Sequence, residues 1–162
     1  MIPMLVPAIL YKEQIIKEVQ KLLYTKDITF LSGDAGNWVP QIKECPDYGV
    51  YQYAIVDGDK LIGYFAYDVD YYSSNVYNFG LVSFVRGSLE IGKSIFPKLE
   101  ELVSKYHRIQ WRMVKGNPVE RSYDKFCQLH NGRKLILKDC NKDTDGNYID
   151  SIIYEIINEN VK

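Results

Sequence analysis

Residues 76–105 read VYNFGLVSFVRGSLEIGKSIFPKLEELVSK, an apolar run, a loop punctuated by glycine, and an amphipathic stretch in that order. Val76, Phe79, Leu81, Val82, Phe84 and Val85 are too densely apolar for a surface strand, which predicts a buried strand from Val76 to Val85. Ile95, Phe96, Leu99, Leu102, Val103 and Tyr106 fall at i, i+1, i+4, i+7, i+8 and i+11, so they share one face of a helix. Between the two lie Arg86, Gly87, Ile91 and Gly92, followed by Lys93 and Ser94. A strand feeding a glycine loop that opens a helix gathers N–H groups at the positive end of the helix dipole. The expected occupant is therefore an anion, a diphosphate above all.

On the N-terminal side, Met4 to Ile9 predicts a first strand, and Tyr11, Ile15, Ile16, Val19, Leu22 and Leu23 form the apolar stripe of a first helix. From Thr25 to Gly49 the periodicity is lost among Gly33, Gly36, Pro40 and Pro46, with Trp38 set in this turn-rich segment. Order returns with Val50 to Val56, the turn Asp57-Gly58-Asp59, and Lys60 to Val69, a hairpin signal. With the strand from Val76 this makes three consecutive antiparallel strands. On the C-terminal side, alternation at Ile109, Trp111 and Met113 predicts a strand over Arg108 to Val114. Reached through a helix, it should lie parallel to the strand before that helix. Asn117 as N-cap and Pro118 at N1 start another helix, whose buried face carries Val119, Tyr123, Phe126 and Cys127. RKLILKD and NYIDSIIYEII are two further strands joined by a turn from Asn141 to Asn147. The result is an α/β (α+β) domain with a mixed, mostly antiparallel sheet and one parallel step in its middle.

A chain of 162 residues without a linker or repeat reads as a single domain. Its formal charge of −1 gives no electrostatic footprint for nucleic acid. Cys45, Cys127 and Cys140 are odd in number, well separated and without a CxxC pair, which argues against disulfides and structural zinc and fits a reducing cytoplasm. The opening MIPMLVPAIL is too short, too proline-rich and too poor in basic residues for a signal peptide, and no run reaches the length of a membrane span.

Gly87-Ser88-Leu89-Glu90-Ile91-Gly92-Lys93-Ser94 satisfies the nucleotide-triphosphate loop G-x-x-x-x-G-K-[ST]. Against it stand Glu90 among the phosphates, Pro97 in the following turn, no downstream aspartate for magnesium, and an antiparallel meander where parallel βα units belong. The whole order of elements, strongest from Val50 to Tyr154, instead resembles the GCN5-related N-acetyltransferase (GNAT) family. The family's loop pattern Q/R-x-x-G-x-G/A meets Gly87 and Glu90 here, with Arg86 one residue out of register.

The resemblance implies helices on both faces of the sheet, with the parallel step at the cofactor cleft. It also implies acetyl-CoA as co-substrate, with its pyrophosphate held by backbone N–H groups from the end of the strand at Val85 through the loop of Arg86, Gly87, Ile91, Gly92, Lys93 and Ser94, and with its thioester carbonyl polarised by backbone N–H groups near Leu81, Val82, Ser83 and Phe84. Asn117 opens the next helix beside the pantetheine, and Tyr123 protonates the leaving thiolate. An amine of a small molecule, peptide or protein attacks the thioester directly, with no metal and no covalent enzyme intermediate, in a monomer or homodimer. A non-catalytic CoA-binding module is the other reading of the same fold. Asn78 or Gly80 is expected to mark a bulge in the strand. Trp38 and Tyr67 are the residues expected to line an acceptor pocket, and Asp68 and Asp70 are the nearest carboxylates that a general base would need. Asn141, Asp143, Asp145 and Gly146 copy half a calcium loop but read as a hairpin turn, because Ile152 stands where a glutamate is required. His107 and His130, without partners at ligand spacing, read as surface or helix-end histidines.

Overall fold

The computed structural model describes residues 2–31, 39–86 and 89–162. Its elements are β1 (Met4–Pro7), α1 (Lys12–Leu22), β2 (Val50–Asp57), β3 (Lys60–Asp70), β4 (Asn75–Ser83), α2 (Leu89–Lys105), β5 (Arg108–Val114), α3 (Glu120–Leu129), β6 (Arg133–Lys142) and β7 (Tyr148–Ile157), with 3₁₀ turns at Ala8–Tyr11 and Lys26–Phe30. The strands form one sheet in the order β1-β2-β3-β4-β5-β7-β6. Every neighbouring pair is antiparallel except β4 with β5, the parallel step expected from the helical crossover.

Alternation along the strands divides the core in two. Phe65, Val76, Phe79, Trp111, Tyr154 and their neighbours pack under the stripes of α2 and α3. On the opposite face, Ala54, Tyr64 and Val82 meet Ile15 and Val19 of α1. Each fully buried aliphatic side chain of the α2 stripe contributes about 1.5–3 kcal/mol.

Two helix starts differ from the sequence expectation. α2 begins at Leu89, ahead of Gly92, because Ile91 extends the buried stripe by one turn to Ile95 and Leu99. Burying Ile91 outweighs the roughly 1 kcal/mol that Gly92 costs inside a helix. α3 begins at Glu120, while Asn117 caps the tight turn before it: its Oδ1 accepts from the Val119 N–H at 3.2 Å and its carbonyl accepts from the Glu120 N–H at 3.0 Å. The β6–β7 turn is the expected hairpin, with the Asp143 Oδ1 accepting from the N–H groups of Asp145 (2.9 Å) and Asn147 (2.8 Å).

Candidate functional site

β4 and β5 are paired only at Asn75 with Arg108 and Val76 with Ile109, although both strands run on beyond those pairs. The cause lies in β4. Its register against β3 runs Ala66 opposite Gly80 and then Asp68 opposite Tyr77, so Asn78 and Phe79 together face Tyr67. Asn78 takes the left-handed conformation such a bulge needs, with φ of 49°, and its Nδ2 donates to Asp68 Oδ2 at 2.9 Å. Of the two positions expected for a bulge, Asn78 is the one that carries it. β5 meanwhile stays paired with β7 from Arg108 to Val114. The sheet therefore opens in its middle, beside the bulge.

The Phe84 N–H donates to Ile62 O at 2.9 Å, and Val82 and Gly80 follow at the period of two that joins them to the β3 ladder. Leu81 and Ser83 turn their N–H groups the other way, toward the opening. Of the run Leu81 to Phe84, the alternate residues Leu81 and Ser83 thus present their amides, while Val82 and Phe84 are tied to β3. The Ser83 hydroxyl donates to Val85 O at 2.6 Å and tightens the exit from the strand. Arg86 is exposed just beyond, and Gly87 lies outside the described residues.

The first turn of α2 closes this end of the opening. Lys93 pairs with Glu90 at 2.9 Å on the surface, and the Ser94 hydroxyl donates back to Ile91 O at 2.9 Å. A nucleotide-triphosphate loop would keep residues through Gly92 out of the helix and turn Lys93 and Ser94 forward. The helix start at Leu89 and these two contacts do the reverse.

At the closed end of the opening, Tyr123 of α3 sits among Trp111 (ring centroids 5.7 Å apart), Tyr154 (5.7 Å), Phe79 (6.3 Å) and Phe96 (6.4 Å). Burial pushes its phenol above the ordinary tyrosine value, and its hydroxyl has no hydrogen-bond partner among the described residues. The indole Nε1 of Trp111 is buried and also lacks a partner among the described residues. Sequence periodicity placed Trp111 on a buried strand face and gave no sign of this orphaned donor. Tyr154, stacked on Trp111 at 5.1 Å, is satisfied: its hydroxyl donates to Asp124 Oδ1 at 2.6 Å, and Lys134 holds that carboxylate at 2.9 Å.

Of the residues expected around an acceptor, Trp38 lies outside those described. Tyr67 is buried on the α2 face, stacked on Tyr51 at 5.0 Å, and burial followed by a hydrogen bond with Tyr53 raises its phenol. Asp68 is half-buried and bonded to Asn78 beside the bulge. Asp70 instead organises the β3–β4 turn, accepting from the Ser73 hydroxyl (2.8 Å) and the Tyr72 N–H (3.0 Å), and the Ser73 bonds hold it below the usual carboxylate range. His107 Nδ1 lies 3.0 Å from Asn158 O, and His130 Nε2 lies 2.9 Å from Glu100. A concavity of about 960 Å³ lies elsewhere, between the C-terminal ends of α2 and β7, where His130 meets Glu100 and Arg133 meets Glu155.

The opening suits a thin, extended ligand carrying both peptide-like groups and an anion. Leu81 and Ser83 offer edge amides, the start of α2 offers a helix N-terminus, and the closed end holds the Trp111 indole N–H, unsatisfied among the described residues, and the Tyr123 hydroxyl. A pantetheine thioester with its diphosphate fits that donor set. Among the described residues no helix is long and apolar enough to cross a membrane, and no three His, Cys, Asp or Glu side chains form a metal-binding group.

No protein-family model matches the sequence, and the search of curated proteins returned no match. Solved structures do match. The microcin C7 self-immunity acetyltransferase MccE, in complex with acetyl-CoA and AMP, superposes with a TM-score of 0.65 at 14% identity, over 95% of this chain and 91% of that one. The ribosomal L7/L12 α-N-protein acetyltransferase RimL in complex with coenzyme A gives a TM-score of 0.62 at 13% identity, over 93% and 88% of the two chains. A second RimL crystal form, without ligand, gives 0.58 at 10% identity, over 96% and 95%. With its strand order, its single parallel step and its opening beside a β4 bulge, this chain has the fold of the GCN5-related N-acetyltransferases.

Proposed function

We propose that the protein is an acyl-CoA-dependent N-acyltransferase, with acetyl-CoA as donor and an amine of a small molecule, peptide or protein as acceptor. The observation that carries this reading is the β4–β5 opening, which presents the Leu81 and Ser83 amides along one side and Tyr123 at its closed end. The structural neighbours MccE and RimL, seen with acetyl-CoA and coenzyme A, support the choice of donor.

In this reading the pyrophosphate lies against Arg86, Gly87 and the first turn of α2 at Ile91 and Gly92. Lys93 and Ser94 follow in the same turn, their side chains turned onto Glu90 and Ile91. The edge amides of Leu81 and Ser83 hold the pantetheine and polarise the thioester carbonyl, Val82 and Phe84 fix those amides in register, and Asn117 sets the entry of α3. Tyr123 stays neutral at every working pH because burial raises its phenol. Proton transfer from it to a thiolate, whose ordinary value lies near 8.5, runs uphill. Its contribution is thus a hydrogen bond to the developing thiolate. Asp68, beside the bulge, is the carboxylate placed to accept a proton from the acceptor, with Trp38 and Tyr67 as the proposed aromatic lining. The chemistry is orientation and charge stabilisation without metal, in a cytoplasmic monomer or homodimer.

Thermal unfolding of the protein alone, with acetyl-CoA, and with ATP plus magnesium tests this reading. A ligand at a hundred times its dissociation constant adds about 2.7 kcal/mol of stability. Acetyl-CoA is expected to raise the midpoint and ATP to leave it unchanged; the reverse result would restore the nucleotide-triphosphate loop.

A further inference from the structure

The indole N–H of Trp111, beside the β4–β5 opening, is buried and has no acceptor among the described residues, and the neighbouring Tyr123 hydroxyl makes no hydrogen bond to a described residue. Folded chains rarely leave such groups unpaired, and each exception asks for an explanation. Trp111 lies two residues beyond Ile109, the last β5 residue paired with β4. Its ring faces Phe79 of β4 at 6.4 Å, meets Tyr123 edge-on at 5.7 Å, and stacks on Tyr154 at 5.1 Å. Tyr154 is held in turn by its bond to Asp124, so the indole is clamped from both sides.

We propose that the Trp111 N–H is a second hydrogen-bond donor, beside Tyr123, to the sulfur of the acyl-CoA thioester and to the thiolate that it becomes. The proposal rests on the acyltransferase reading. In that reaction the acceptor nitrogen bonds to the carbonyl carbon and the carbon–sulfur bond breaks, its electron pair passing to sulfur. The surplus proton of the nitrogen ends on sulfur, giving an amide and the thiol of CoA. Negative charge on sulfur is greatest as the bond breaks, and a hydrogen-bond donor beside it stabilises that charge. A neutral N–H suits the role at every pH, since it does not titrate.

The chain has two tryptophans, Trp38 and Trp111, so its ¹⁵N spectrum contains two indole N–H signals, assigned by the W38F and W111F variants. Saturating CoA is expected to move the Trp111 signal downfield, while desulfo-CoA, which has the same nucleotide and pantetheine but no sulfur, leaves it in place. The wild type is expected to bind CoA about fivefold more tightly than desulfo-CoA, and W111F to lose most of that preference while keeping its affinity for desulfo-CoA. W111F keeps an aromatic ring but leaves a cavity in the core, so its unfolding midpoint without ligand should fall, and the affinities are compared at a temperature where the variant is folded. If W111F fails to fold, the wild-type spectra decide alone, with W38F supplying the assignment. A Trp111 signal that ignores CoA, or that moves equally with desulfo-CoA, would overturn the proposal. If acetyl-CoA gives no thermal shift either, the acyltransferase reading fails with it; if the thermal shift is present, only the role of Trp111 falls.

Discussion

Tyr123 is held by four rings and bonded through its hydroxyl to none of them. A tyrosine that served the core alone would gain nothing from an oxygen that bonds to none of its neighbours. Tyr123→Phe should therefore fold with an unchanged or slightly higher urea midpoint, while kcat for acetyl transfer falls about 10²-fold, as for loss of one hydrogen-bond donor to the developing charge. Because burial holds the phenol neutral across the working range, the variant should lose amplitude without a change in the shape of its pH–rate profile between about pH 6 and 9. Steady-state kinetics with acetyl-CoA and an accepted amine measure both. A variant as fast as the wild type would make Tyr123 a packing residue, and a profile that changes shape would mean that its proton is transferred.

At the scale of elements, the bulge in β4 makes the opening, and Asn78 makes the bulge. Its φ of 49° lies in the left-handed region, which asparagine tolerates and β-branched residues do not. Asn78→Val should lose about 1–2 kcal/mol in urea unfolding and most of the stabilisation given by acetyl-CoA. Asn78→Gly, which keeps the backbone conformation, should retain the ligand effect although it gives up the bond to Asp68. Equal ligand effects in the two variants would separate the bulge from the site. Most elements were legible because their periods are local: β5 runs from Arg108 to Val114 in both sequence and structure, and the hairpin at Gly58 and the parallel step follow from turn chemistry and crossover geometry. The start of α2 was hidden because Gly92 and Ser94 look like loop residues until Ile91 is seen to be buried. The bulge was narrowed to Asn78 or Gly80, since either residue tolerates the conformation and only the pairing with β3 decides. Which amides of β4 face the opening, and that the Trp111 N–H has no partner among the described residues, are relations between distant elements that no local pattern carries.

At the scale of the molecule, the opening divides the sheet into β1–β4 and β5–β7–β6, joined along the ladder by two residue pairs. The second half has its own tie. Glu155 of β7 accepts from Arg108 of β5 at 2.6 Å and from Arg133 of β6 at 2.6 Å, so one carboxylate braces three strands. Burial pushes this carboxyl up, the hydrogen bonds and charges of the two arginines pull it down by more, and the net value lies below the usual carboxylate range. A folded-state value below the unfolded one gives stability that is complete above the unfolded pKa, near 4.3, and drains away as pH falls through that value toward the folded one. Glu155→Gln should thus cost about 2 kcal/mol at neutral pH, for two weakened charge-assisted bonds and an arginine left without its counter-charge. The gap between wild type and variant should stay constant from about pH 6 to 8 and close between about pH 5 and 3, where the wild-type carboxylate takes up its proton. Denaturant titrations at each pH measure that gap. A difference that persists undiminished at pH 3 would mean that the glutamate acts through its shape, and that the brace across β5, β7 and β6 is not electrostatic.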